Sequence, residues 1–177
     1  MKAVFLDRDG VLNQSIVRDG TPHPPAGLEQ LAIYPDAAEA LRRLKQAGYL
    51  LIVVTNQPDI ARGTETRAAV DRINAAIGAS LPVDEFLVCA HDDADNCPCR
   101  KPKPGMVLDA AARHAINLPH SFLVGDRWRD IDCGAAAGVR TVLIHRGYRE
   151  RAPVHAPDFV AESLAAAADW ILHANTP

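Results

Sequence analysis

Three stretches of this chain carry side chains that could do chemistry, and each follows an apolar run. FLDRDGVLN, residues 5–13, sets Asp7 and Asp9 two positions apart directly after AVFL. Thr55 and Asn56 close LLIVVTN, and Asp126 and Asp130 lie in GDRWRD after SFLV. Side chains at i and i+2 leave an extended segment on the same face, so Asp7 and Asp9 point one way. Carboxylates gathered at close range cannot all stay ionised unless a cation sits among them. Ligands made only of oxygen point to Mg²⁺, which pairs readily with a phosphate oxygen. A phosphoryl group adds negative charge of its own and calls for donors and a cationic side chain. Thr55 and Asn56 can supply the donors, and Lys101 or Lys103 the charge.

Hydrolysis of a phosphate monoester would ask much of such a site. Enzymes accelerate it by up to about 10²¹-fold, roughly 29 kcal/mol of barrier, whereas one charge pair near a protein surface is worth about 4 kcal/mol. Positioning, metal charge and a covalent route must therefore combine. A carboxylate nucleophile divides the reaction into formation and breakdown of an aspartyl-phosphate. A second carboxylate can protonate the leaving oxygen and then activate water. The D-x-D pair suits these two roles.

A second cluster is of a different kind. Cys89, His91, Cys97 and Cys99 fall within eleven residues, a poor layout for a secreted disulfide framework and a good one for a metal. Cys₃His is a common structural zinc set; ordinary thiols near a strand end and a redox pair are the competing readings. Arg100 and Lys101 follow Cys99 directly, so Zn²⁺ bound here, with no open coordination position, would stiffen the loop that aims them. Cys133, among small residues on an expected helix, reads as packing.

The elements that must position these residues alternate. Strands are expected at 2–6, 50–55, 85–90, 121–124 and 141–144. Helices are expected over PDAAEALRRLKQAG, over 64–77, 105–115 and DIDCGAAAG, and at the end over ESLAAAADWILHA. The near-continuous aliphatic run LLIVVT reads as a strand buried on both faces. This pattern predicts an α/β fold, a Rossmann-like doubly wound parallel sheet with helices on both faces, spanning 1–177 as a single domain. The candidate residues then fall at the carboxyl edge, where open parallel sheets build their sites. One loop and one helix separate Asp7 from Thr55, which leaves no room for a large cap domain. Residues 14–35, polar and proline-rich, are expected to form an insertion loop over the site, and residues 89–101 a small zinc-binding loop.

Composition narrows the partners. The 177 residues are 48% apolar with a formal charge of −3, and no run of Lys or Arg suggests a nucleic-acid surface. The N-terminus enters a strand at once and no apolar run reaches membrane-spanning length. A cytoplasmic monomer acting on a small phosphorylated metabolite, with neither nucleic acid nor membrane as partner, is the expectation.

In order, FLDRDGVLN, VVTNQ, RKPKPGM and VGDRWRD resemble the four motifs of the haloacid dehalogenase superfamily of aspartate-nucleophile phosphatases, over about residues 1–146. The resemblance implies that Asp7 is the nucleophile, Asp9 the general acid/base, Thr55 a phosphate donor and Lys101 the phosphoryl-stabilising cation. Mg²⁺ would be held by Asp7, by Asp9 through its backbone carbonyl, and by Asp126, with Asp130 supporting from outside. RKP before PGM matches the superfamily at Lys101, which leaves Lys103 as a surface charge. C-x-H followed by C-x-C-R-K-P, with TNQ and IARG at 60–63, is similar to its heptose-bisphosphate phosphatase branch, of which the histidinol-phosphate phosphatases are close relatives. IARG and the Arg100-Lys101 pair favour the heptose branch, and Arg100 is then expected to contact substrate together with Asn56, Gln57 and Arg127.

The chain departs from that branch in places. Pro58-Asp59 stands where Ser-Gly is usual, Arg127 replaces a lysine with a different donor geometry, and the 14–35 segment is several residues longer. Arg18 and His23 in that segment, and Trp128, are candidates for the walls of the site. The alternatives to a Mg²⁺-dependent heptose-bisphosphate phosphatase of cell-surface sugar biosynthesis are a phosphatase of histidinol phosphate or another small phosphometabolite, and a catalytically inactive, zinc-stabilised binding module. The intact Asp7, Asp9, Lys101 and Asp126 set argues against the inactive module.

Overall fold

Alternate residues of the buried strands divide between two cores, and that division explains the layering. A computed structural model describes residues 1–174. In chain order the elements are β1 (Lys2–Leu6), β2 (Ile16–Arg18), β3 (Thr21–His23), α1 (Ala37–Gln46), β4 (Tyr49–Asn56), α2 (Asp59–Arg62) and α3 (Arg67–Ser80). There follow β5 (Glu85–Cys89), α4 (Gly105–His114), β6 (Phe122–Gly125), α5 (Trp128–Ala137), β7 (Arg140–Ile144), β8 (Phe159–Ala161) and α6 (Leu164–Ala174). Six strands form one sheet in the order β5-β4-β1-β6-β7-β8, with every pairing parallel. Val4, Leu6, Leu51, Val53, Phe122 and Val124 face one core, shared with α1, α3 and α6. Their neighbours Ala3, Phe5, Ile52, Val54 and Leu123 face the other, shared with α4 and α5. Period-two alternation with both faces apolar is what a covered parallel sheet requires. The doubly wound reading therefore holds. Among the described residues no helix is long and apolar enough to cross a membrane.

Two segments differ from expectation. The helix expected from 64 begins at Arg67, because the Thr66 hydroxyl accepts the Ala69 N–H at 3.1 Å and caps it. The residues before it form the short α2, closed by Gly63. The 14–35 segment, expected as loop, contains an antiparallel hairpin in which Ile16 pairs with His23 and Arg18 with Thr21. Its two-residue turn is Asp19-Gly20, with φ of 50° and 78°, the pair of positive values that a type I′ turn demands. That Asp-Gly signal was present among the prolines, but three-residue strands are too short to show a period.

Candidate active site

The adjacent strands β1, β4 and β6 end at one edge of the sheet. The chain runs outward from β1 to β4 and β5, then resumes on the other side of β1 at β6. Such a reversal opens a crevice at the carboxyl ends of the strands. Asp7 follows β1, its N–H donating to the carbonyl of Val124 on β6 (2.9 Å), Thr55 lies near the end of β4, and Asp126 follows β6.

Lys101 arrives from the loop before α4. Its side chain is 2% exposed, and the ammonium donates to Asp7 Oδ1 (2.8 Å), Asp130 Oδ1 (2.6 Å) and the Val54 carbonyl (2.7 Å). Asn56 grips the Lys101 backbone, its side-chain amide donating to the carbonyl (3.0 Å) and its Oδ1 accepting the N–H (3.1 Å). Asp7, Asp126 and Asp130 each bring one oxygen within 4.8 Å of the others. Three carboxylates against one ammonium leave surplus negative charge. Burial, with Asp130 and Asp9 adding to it against the pull of Lys101, raises Asp7 to about 6. Burial and then the charges of Asp7 and Asp130 push Asp126 well above the usual carboxylate range. Burial disfavours the Lys101 charge too, but Asp130 and Asp7 outweigh it and raise its pKa.

The three carboxylates are not equivalent. Both oxygens of Asp130 are engaged, one by Lys101 and the other by the Arg127 backbone N–H at 3.1 Å. Asp126 Oδ2 accepts the Tyr148 hydroxyl at 2.7 Å, whereas its Oδ1 is buried with no hydrogen-bond partner among the described residues. Oxygen donors, surplus charge and an orphaned buried oxygen together fit a hard divalent cation beside Asp126 and Asp7. The Asp9 carboxylate lies outside this group. It accepts from Arg8 (3.1 and 3.0 Å), from Asn13 (3.0 Å) and from Gln57 (2.9 Å). Arg8 is fully buried and also donates to Asn74 on α3 at 2.9 Å. Neither Arg8 nor Tyr148 was singled out from the sequence: the burial of Arg8 depends on Asn74, 66 residues away, and the partner of Tyr148 lies 22 residues away.

A cleft of about 300 Å³ opens over these groups, lined by Asp7, Asp9, Thr55 and Lys101 and walled by Thr21, Pro22 and His23 of the hairpin. Of the expected substrate contacts, Asn56, Arg100 and Arg127 line it; Gln57 does not. Gln57 is buried, and its amide donates to Thr55 Oγ1 (3.0 Å) as well as to Asp9, so it braces the two rather than facing the cleft. Trp128 also lies off the cleft, its ring covered by the guanidinium groups of Arg129 (4.6 Å) and Arg151 (3.5 Å). Arg18 is not among the lining residues, and Lys103 is exposed and bonded to Asn96.

The cysteine cluster closes on itself at the end of β5. Cys89 and Cys97 sulfurs are 3.7 Å apart, Cys97 and Cys99 3.4 Å, Cys89 and Cys99 3.0 Å. His91 Nδ1 is 3.7 Å from Cys89 and 3.4 Å from Cys99. Tetrahedral zinc with Zn–S of about 2.3 Å has S···S edges of about 3.8 Å, so these four groups need only small movements to surround an ion. The loop also carries Asp92 and Asp93 to the cleft rim. Asp92 accepts from Arg62 (2.6 and 2.9 Å), and Asp93 from Arg100 (2.7 Å) and Arg129 (3.0 and 3.1 Å).

This arrangement has relatives. A family model described as "HAD-hyrolase-like" matches residues 98–167. A D-glycero-D-manno-heptose-1,7-bisphosphate 7-phosphatase of Thermosynechococcus vestitus is 36% identical across 96% of this chain and 94% of its own length. The D-glycero-beta-D-manno-heptose-1,7-bisphosphate 7-phosphatase of Bordetella bronchiseptica is 35% identical across 97% and 98%. The chain belongs to this haloacid dehalogenase-like phosphatase family. A solved structure of the D,D-heptose 1,7-bisphosphate phosphatase from B. bronchiseptica, complexed with magnesium and phosphate, superposes with a TM-score of 0.79 at 32% identity, covering 98% of this chain and 99% of that one.

Within the haloacid dehalogenase-like phosphatase family, the departures noted from sequence have definite places here. Asp59 does line the cleft, where Arg62 lies 3.4 Å from its carboxylate. Arg127 also lines it and is paired with Glu150 at 2.7 Å.

Proposed function

We propose that this chain is a Mg²⁺-dependent phosphatase that hydrolyses D-glycero-D-manno-heptose 1,7-bisphosphate at its 7-phosphate, working as one hydrolase domain. The reading is carried by the Lys101 ammonium bridging Asp7 and Asp130 beside the orphaned oxygen of Asp126. The heptose names of the relatives supply the substrate.

Asp7 attacks phosphorus with a carboxylate oxygen; a P–O bond to Asp7 forms and the bond to the sugar oxygen breaks. Asp9 gives that oxygen its proton, then takes one from the water that attacks the aspartyl-phosphate, releasing phosphate and restoring Asp7. Lys101 neutralises charge on the transferring group, and the Thr55 hydroxyl hydrogen-bonds one of its oxygens. Mg²⁺, held by Asp7, Asp126 and the Asp9 carbonyl, would supply the positive charge that lets an anionic nucleophile meet an anionic phosphate. Arg8, Asn13 and Gln57 keep the Asp9 carboxylate at the cleft. Zn²⁺ on Cys89, His91, Cys97 and Cys99 would hold the loop that delivers Arg100 and Lys101. Arg100 and Arg129 contact the sugar's second phosphate, in the place where Asp93 now accepts their hydrogen bonds.

The test is phosphate release from a panel of heptose bisphosphates, histidinol phosphate and common sugar phosphates, with Mg²⁺ and with EDTA. Metal-dependent release that is fastest from the heptose 1,7-bisphosphate is expected. Preference for histidinol phosphate would overturn the substrate, and no release from any compound would overturn the phosphatase.

A further inference from the structure

We propose that Tyr148 is a positioning residue of the cation site: its hydroxyl holds one oxygen of Asp126 so that the other is presented to the ion. The inference rests on the reading of Asp7 and Asp126 as cation ligands. Tyr148 belongs to the segment after β7, which none of the four motifs includes. Its hydroxyl donates to Asp126 Oδ2 at 2.7 Å, and that leaves Oδ1 as the buried oxygen without a partner. A carboxylate on a single torsion can turn; a hydrogen bond to one oxygen removes that freedom and so selects which oxygen meets the metal. Partners of this kind orient ligands at many metal sites.

The surroundings are built for this contact. A Cβ at Gly10 would stand 1.8 Å from Asp126 Oδ2 and 3.0 Å from the Tyr148 hydroxyl oxygen, so only a glycine leaves room for the two to meet. Gly10 also has a φ of 89°, which favours glycine on conformational grounds. The segment bearing Tyr148 is tied down on both sides of it. Arg146 Nε donates to the Gly10 carbonyl at 3.0 Å, and the Arg149 N–H donates to the Gly20 carbonyl at 2.9 Å. The Arg146 guanidinium lies over the Tyr34 ring at 4.2 Å. The loop after Asp7, the hairpin turn and the segment after β7 thus form one frame with the tyrosine at its centre.

The experiment compares Mn²⁺ binding to the wild-type chain and to Tyr148→Phe by electron paramagnetic resonance of the free ion. The substitution removes one oxygen and leaves the ring, and about tenfold or greater weakening is expected. The Mg²⁺ concentration giving half-maximal phosphate release from p-nitrophenyl phosphate should rise in parallel, with kcat at saturating Mg²⁺ within about threefold of wild type. Affinity for Mn²⁺ unchanged within twofold, or no Mn²⁺ binding by the wild type, overturns the proposal. A purely structural tyrosine would lower the melting temperature without moving the metal affinity. If Tyr148→Phe does not fold, the ultraviolet difference spectrum of the wild-type tyrosines on adding Mg²⁺ decides, and a flat spectrum overturns the proposal. Mn²⁺ binding that weakens in Tyr148→Phe, in a chain that hydrolyses no sugar phosphate, would keep this inference and reject the proposed function.

Discussion

The two clusters of potential ligands are built in opposite ways. Cys89, His91, Cys97 and Cys99 come from eleven consecutive residues and converge through one loop, so their proximity owes little to the rest of the chain. Asp7, Asp126 and Asp130 come from both halves of the sequence and meet because β1 and β6 are neighbours in the sheet. The first is soft and compact, with three thiols and an imidazole within 4.8 Å of one another and contacts as close as 3.0 Å. The second is hard and charged, with the Lys101 ammonium between two carboxylates and an orphaned oxygen on the third. A local cluster can serve as a staple for its own loop, whereas a distributed one depends on the order of strands in the whole sheet. The stretch Cys99-Arg100-Lys101 links the two along the chain, and the Asp93 contacts to Arg100 and Arg129 join them at the cleft rim.

The sharpest way to separate them is Asp7→Asn. Loss of the proposed nucleophile should lower phosphate release by on the order of 10⁴-fold or more, while circular dichroism and metal content at the cysteine cluster stay unchanged. Release that persists at a tenth of wild type would remove Asp7 from the proposed role. Loss of the staple should act less on chemistry and more on stability. Protein purified without added zinc is expected to contain about one equivalent, and Cys99→Ser should lower both the melting temperature and kcat/KM, the latter by roughly 10–100-fold. A folded, fully active zinc-free preparation would show that the loop stands without its ion.

Arg129→Ala tests the rim that joins the two regions. It should raise KM for a sugar bisphosphate by about tenfold with kcat within about twofold, and leave KM for a monophosphate unchanged. Equal effects on both substrates would remove the second-phosphate contact.

The smallest effect concerns pH. Asp7, raised to about 6, and Asp126, raised further, bind protons more tightly folded than unfolded. Their contribution to stability is therefore complete below about pH 4 and is lost as pH rises through 6 and beyond, where the buried charges repel one another. A cation relieves that repulsion, so Mg²⁺ should raise the melting temperature more at pH 7.5 than at pH 5. A shift independent of pH would place the metal elsewhere.

Much of this was legible in the residues themselves. The paired faces of KAVFL and LLIVVT, the D-x-D pair after the first strand and the C-x-H and C-x-C pairs are patterns of near neighbours, and local spacing determines where such side chains point. The Asp19-Gly20 turn was legible too, though hidden by prolines and very short strands. Tertiary structure alone decided the rest. It set Arg8 against Asn74 66 residues away, turned Gln57 inward to Thr55 and Asp9, and placed Tyr148 22 residues beyond its carboxylate. Those contacts depend on which strands become neighbours and on which loop crosses which edge, and a buried hydrogen bond between distant residues leaves no period in the chain to read.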